Sequence, residues 1–169
     1  MRAQAATGIS KRMAIAARIL GDHFGPQADV QFRSHESDTV RGWACFLVGA
    51  LPDVSLQARL DRIRPLADDA HFGVREWAWL AVRPRLADDL QASVQALRPW
   101  TQDRSERVRR FANESLRPRG VWCAHIAALK SDPAIALPLL EPLRADPAAY
   151  VQDSAVSYTH LTLPTTPYV

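Results

Sequence analysis

The chain has 169 residues, 47% of them apolar and 23% charged, an ordinary balance for a globular domain and a length that can hide roughly 70% of the unfolded surface. No apolar run reaches the roughly 18 residues that a membrane-spanning helix needs, and the two cysteines, Cys45 and Cys123, lack CxxC spacing, which argues against a disulfide framework or a structural zinc site. The net charge is only +3, so its distribution says more than its total.

The first 35 residues carry no motif. Their basic, amphipathic opening, MRAQAATGISKRMAIAARIL, lacks the continuous apolar stretch and cleavage site of an export signal. A reducing cytoplasm is therefore the expected setting. A repeat then begins: VRGWACFLV starts at Val40, VREWAWLAV at Val74 and VRRFANESL at Val108, two steps of 34 residues, and a shorter copy, VQDSA, starts at Val151. In three copies a proline stands nine residues before the valine: Pro65, Pro99 and Pro142. Each unit reads as an apolar helical pattern, an Asp-containing turn (Asp68-Asp69, Asp103, Asp146-Pro147) and a second helical pattern opening at the valine. Helix pairs this short cannot bury their faces alone and must stack. The predicted fold is all-α, a HEAT-like helical repeat solenoid of about four helix pairs, with the second helices lining one concave face.

The fourth copy arrives after 43 residues instead of 34, and the excess falls between Pro118 and Pro133. It predicts a long connection bearing Trp122, and long connections in compact repeats tend to be functional. The closing stretch, VSYTHLTLPTTPYV, is rich in Thr and Pro, has no helical period and looks like translated adapter sequence. One domain over residues 1–156, C-terminally incomplete, is expected, followed by a non-native, disordered tail over 157–169.

Between Val74 and Arg119 ten arginines face six acids, a local +4 that suits a polyanion such as nucleic acid. Glu76, Trp79 and Arg83 follow at i, i+3 and i+7, and Arg110, Glu114 and Arg117 at i, i+4 and i+7, so each trio shares a helix face. Stacked helices would join these faces into a patch of carboxylates, arginines and indole. Taken alone, Arg110 and Glu114 read as a surface ion pair worth about 0.3–0.5 kcal/mol. Trp43, Trp77 and Trp100 are assigned to packing. His23, His35 and His71 belong to no recognisable arrangement, and Cys123 with His125 lacks further metal ligands. No metal or other cofactor is expected. GxSxG, P-loop, GxGxxG and HExxH signatures are absent, leaving carboxylate, guanidinium and indole for any chemistry.

VREWAWLAVRP, VRRFANESLRPRGVW and PLLEPLRADPAAYVQDS resemble the bacterial DNA alkylation repair family of HEAT-like glycosylases, the AlkC/AlkD group, and more closely its AlkC-like side, over roughly Asp38 to Ala155. The resemblance implies excision of cationic alkylated purines, of the 3-methyladenine or 7-methylguanine type, from double-stranded DNA by a monomeric, nucleoid-associated enzyme that needs no cofactor. It implies Glu76 and Glu114 as catalytic carboxylates, with Trp79, Arg83, Arg110, Arg117, Arg119 and Trp122 binding DNA or substrate. A carboxylate can stabilise an oxocarbenium-like sugar and direct water at it, indole faces attract a cationic base, and arginines hold phosphates. An aspartate expected beyond YVQDS is missing, so this polypeptide can lack activity although its family is enzymatic. The alternative is a non-catalytic HEAT-repeat scaffold that binds DNA or a protein.

Overall fold

The computed structural model describes residues 8–120 and 123–162, with side chains through Ala155. Among these residues there are α-helices and short 3-10 helices and no strand, the all-α architecture expected. Contacts divide the chain into two compact units, Met1–Arg85 and Leu86–Val169, where the sequence suggested one domain over 1–156. The division falls inside a helix, one residue after Pro84.

In the first unit, α1 (Ile9–Phe24), α2 (Ala28–Phe32) and α4 (Leu56–Ala67) pack on α3 (Asp38–Ala50). Apolar spacing accounts for α3, whose Ala44, Cys45, Leu47 and Val48 are buried along one stripe. Arg59 of α4 is almost wholly buried because it donates to the carbonyls of Val48, Gly49 and Leu51, acceptors that the end of α3 would otherwise leave bare. Ser55 caps α4 by accepting from the Ala58 N–H at 3.1 Å. The next helix, α5 (Phe72–Asp88), lies so close to α3 that a Cβ at Gly42 would strike the Trp77 ring and one at Gly49 the Ala81 carbonyl. Backbone cannot yield as a side-chain tip does. Gly49→Ala is therefore expected to lower stability by about 1–3 kcal/mol, read as a fall in the thermal midpoint.

In the second unit the elements are α6 (Leu90–Leu97), α7 (Glu106–Glu114), α8 (Ala127–Ser131), α9 (Leu137–Leu140) and α10 (Ala149–Thr162), with 3-10 turns at Arg98–Gln102, Pro133–Ala136 and Glu141–Leu143. Pro99 and Pro142 sit in the first turn of such segments, where a missing N–H costs nothing. Pro65 instead lies inside α4. Of the four valines of the repeat, Val74, Val108 and Val151 are fully buried and Val40 is half-buried. Residues 115–120 and 123–126 form no helix, in keeping with the long connection anticipated there, and the Ile126 N–H to Pro118 carbonyl bond of 3.0 Å ties its ends. Helix α10 continues through Thr162, and residues 163–169 of the tail lie outside the described residues.

A second repetition underlies the first. Asp69, Asp103 and Asp146 each accept from the N–H two residues on, that of His71, Ser105 and Ala148, at 2.7–2.9 Å, the Asx turn that leads the chain into a helix. The residue after each valine returns to the turn before its own helix. Arg41 bonds the His35 and Glu36 carbonyls, Arg75 those of Asp69 and Ala70, Arg109 those of Asp103 and Arg104, and Gln152 that of Asp146. Arg41 also forks onto both oxygens of Asp69 at 2.7 and 3.0 Å, and Arg109 onto Asp146 at 2.6 and 2.9 Å. Each such arginine staples one turn to the next along the chain.

Candidate functional site

Glu76, Trp79 and Arg83 lie in the first unit and Arg110, Glu114, Arg117 and Arg119 in the second, so each group is described within its own unit. On α5, Glu76 is half-buried and its Oε2 accepts a 2.9 Å hydrogen bond from the Trp79 indole Nε1. The i, i+3 spacing brings the two together. Trp79 itself is only 6% exposed and Arg83 3%. Both side chains, expected to bind DNA or substrate, thus present little surface to solvent. The apolar residues of α5 occupy more of its circumference than one stripe, so the polar residues among them are drawn inward. The indole works through its N–H, orienting a carboxylate.

On α7, Glu114 is 1% exposed. Its Oε1 accepts from Ser154 Oγ at 2.8 Å and lies 3.3 Å from an Arg110 nitrogen, and its Oε2 accepts from Arg117 at 3.0 Å. A buried carboxylate demands such partners. The surface ion pair anticipated from i, i+4 spacing is thus an interior cluster, and Glu114 has both oxygens engaged. Helix α7 ends at Glu114, whereas α5 runs on through Pro84: the Leu116 and Arg117 N–H groups turn back to Asn113 and Glu114 in tighter bonds of 3.4 and 3.3 Å. That turn swings Arg117 back over its own glutamate, leaving its side chain 28% exposed, with Arg110 at 16%. Arg119 is exposed. Trp122 lies outside the described residues.

Three contributors had no local sequence signal. Ser154 and Tyr150 come from α10, with the Arg110 guanidinium carbon 4.6 Å from the Tyr150 ring centroid, and Asn113 Nδ2 donates to Ser154 Oγ at 2.6 Å. Forty residues separate Ser154 from Glu114, and only the packing of α10 on α7 joins them. Beside this cluster, the Arg109 guanidinium holds the Asp146 carboxyl below the usual carboxylate range, aided by the Ala148 N–H and opposed by burial.

Away from these residues, burial pushes the Cys45 thiol well above its ordinary pKa, which makes it an unreactive core side chain. Trp100 is buried and packs against Phe111, ring centroids 5.1 Å apart, and Trp77 lies against Gly42, as packing residues do. His35 accepts from the Ser37 N–H at 3.0 Å, and His71 Nε2 lies 3.2 Å from Asp38. Among the described residues no three His, Cys, Asp or Glu side chains are grouped to hold a metal, and no helix is long and apolar enough to cross a membrane.

No protein-family model matches the sequence, and no curated protein matches it. Among solved structures the chain is similar to Pseudomonas fluorescens alkylpurine DNA glycosylase AlkC bound to DNA containing an abasic site analog, with a TM-score of 0.63 and 21% identity. The likeness covers 92% of this chain and 39% of that one. The chain therefore has the all-helical fold of part of a DNA glycosylase.

Proposed function

We propose that the chain is part of a DNA glycosylase that removes cationic alkylated purines, of the 3-methyladenine or 7-methylguanine type, by hydrolysing their N-glycosidic bond. The observation that carries this reading is Glu76, a half-buried carboxylate with one oxygen anchored by an indole N–H. An alkylated purine is already a cation and leaves readily. What the reaction lacks is negative charge near the sugar as it becomes oxocarbenium-like, and a fixed carboxylate supplies that without reorganising. Trp79 keeps the Glu76 carboxylate oriented. Arg110, Arg117 and Arg119 hold the phosphates of double-stranded DNA. Glu114 fixes two of those arginines, a supporting role in place of the chemical one its spacing suggested. The fold shared with an alkylpurine glycosylase supports the same reading.

The test is release of free alkylated base from methylated duplex DNA, measured chromatographically. Glu76→Gln is expected to lower the single-turnover rate at least about 100-fold, in the range lost with one electrostatic group, while Glu141→Gln, in an exposed 3-10 turn, leaves it unchanged. Equal rates in wild type and Glu76→Gln would remove Glu76 from the chemistry.

A second reading, a non-catalytic scaffold that binds DNA, is favoured by the burial of Trp79, Arg83 and Glu114, which leaves arginines as the outward chemistry of α7 and its connection. It predicts DNA binding that weakens steeply with salt and no base release from wild type.

A further inference from the structure

We propose that the cavity between α1, α2 and the C-terminal end of α3 binds a small zwitterion with an aliphatic body, the chemistry of a free apolar α-amino acid. This site is separate from the DNA reading and does not depend on it. The cavity has a volume of about 320 Å3, at the lower end of the range for small-molecule sites, and all its walls belong to the first unit. Short side chains make it. Gly21 of α1 lies so near α3 that a Cβ there would stand 3.3 Å from Leu47 Cδ2, and Gly25 turns the chain toward α2 at a φ of +78°, a conformation that favours glycine, where a Cβ would meet nothing within 4 Å. Ala17 and Ala28, each 1% exposed, complete the apolar lining with Leu51.

Three charged residues share that lining: Arg18, Asp22 and Asp29. Asp29 is 1% exposed; its Oδ1 accepts from Arg62 Nη1 at 2.8 Å, and its Oδ2 has no hydrogen-bond partner among the described residues. A buried carboxylate oxygen without a donor is costly. What it demands is an N–H or O–H. Arg18 and Asp22 stand at i, i+4 on α1, both exposed, yet they form no ion pair with each other or with any other described residue; the cation preceding the carboxylate is the weaker order along a helix. Each is therefore free to take a ligand group. A zwitterion answers all three residues. Its ammonium carries three donors, enough for Asp22 and the Asp29 oxygen together, its carboxylate fits the fork of Arg18, and its aliphatic body lies against Ala17, Leu47 and Leu51. A simple cation would set like charge against Arg18, a simple anion would oppose two aspartates, and a neutral hydrocarbon would leave the Asp29 oxygen without its donor.

Three probes of one shape test this: L-leucine, isopentylamine, which lacks the carboxylate, and isocaproate, which lacks the ammonium. Each is titrated into the full chain, and binding is followed by amide chemical shifts in heteronuclear NMR. L-leucine should bind at least about 10-fold more tightly than either analogue, the lower bound for one hydrogen bond to a charged group, and should shift amides around Gly21, Gly25 and Ala28. Arg18→Gln should abolish the preference for L-leucine over isopentylamine, and Asp22→Asn the preference over isocaproate. Both residues are exposed, so neither change threatens the fold, and a lost preference is a readout that a structural role would not move. Ala50→Leu, at the exposed edge of the lining, should fill the cavity and remove the L-leucine shifts. Equal affinity for the three probes, no shift with millimolar L-leucine, or shifts that survive Ala50→Leu would each overturn the site and leave the DNA reading untouched.

Discussion

Glu114→Ala is expected to lower folding stability by about 3–5 kcal/mol, the range found when one partner of a buried ion pair is removed. The side chain that disappears is 2% exposed and bridges Arg110, Arg117 and Ser154. Its loss takes one carboxylate away from two guanidinium groups at the edge of the core and from a hydroxyl that donates to it. Glu114→Gln keeps the volume but turns an amide NH2 toward at least one donor, so it should fall between wild type and Glu114→Ala. Urea or guanidinium unfolding at neutral pH reads both changes as shifts in midpoint at constant slope. A loss below about 1 kcal/mol for Glu114→Ala would be the cost of an exposed pair and would contradict the buried cluster. The same expectation changes how an activity assay is read. A Glu114 variant that fails to release base has lost its fold or its arginine geometry before it has lost a chemical group, whereas Glu76, half-buried on α5, should change activity with little change in midpoint.

How far these roles were legible depended on how local their causes are. The 34-residue step between valines announced the paired helices, because burying one face per helix imposes a period that composition cannot hide, and Val74, Val108 and Val151 are indeed fully buried. The i, i+4 spacing correctly joined Arg110 to Glu114 and the i, i+3 spacing Glu76 to Trp79. Spacing alone says which side chains meet; it does not say whether water meets them too. Burial is decided by what packs on top, and for Glu114 that includes α10, forty residues away. For Trp79 the difficulty was different. Apolar residues on α5 spread round more than one stripe, so no face of that helix is plainly outward, and an indole between charged neighbours could be read either way. Thr, Tyr and Val are weak helix formers, and the stretch of α10 from Val156 to Thr162 follows first turns anchored at Val151 and Ser154. The arginine staples carried a signal in the residue after each valine, which is Arg41, Arg75 and Arg109 in three copies. Recognising it requires pairing Arg41 and Arg109 with an aspartate in a later turn, a separation of 28 and 37 residues.

Arg109→Met is expected to cost a comparable amount, about 3–5 kcal/mol at neutral pH, because it strands Asp146, which is 4% exposed and takes both forks of the guanidinium. The pair also sets a pH dependence whose direction follows from the lowered Asp146 pKa, caused first by the Arg109 hydrogen bond. A carboxylate held below its unfolded value binds its proton more readily in the unfolded chain. Its contribution is therefore fully present above the unfolded aspartate pKa, about 3.9, and is lost as pH falls from there through the lower native value. Asp146→Asn should flatten that acid limb of the stability curve while lowering the plateau above it, and the double variant with Arg109→Met should be less damaged than the two single losses added, by about 0.5–3 kcal/mol. Denaturant midpoints of the four proteins at intervals from pH 7 down to pH 2.5 give all three quantities. An acid limb unaltered in Asp146→Asn would mean that other carboxylates govern the transition. The staple at Asp146 also bears on the candidate site. Arg109 neighbours Arg110 on α7, and Asp146 leads into α10 through the Ala148 N–H. The pair therefore ties α7 to the turn that opens α10.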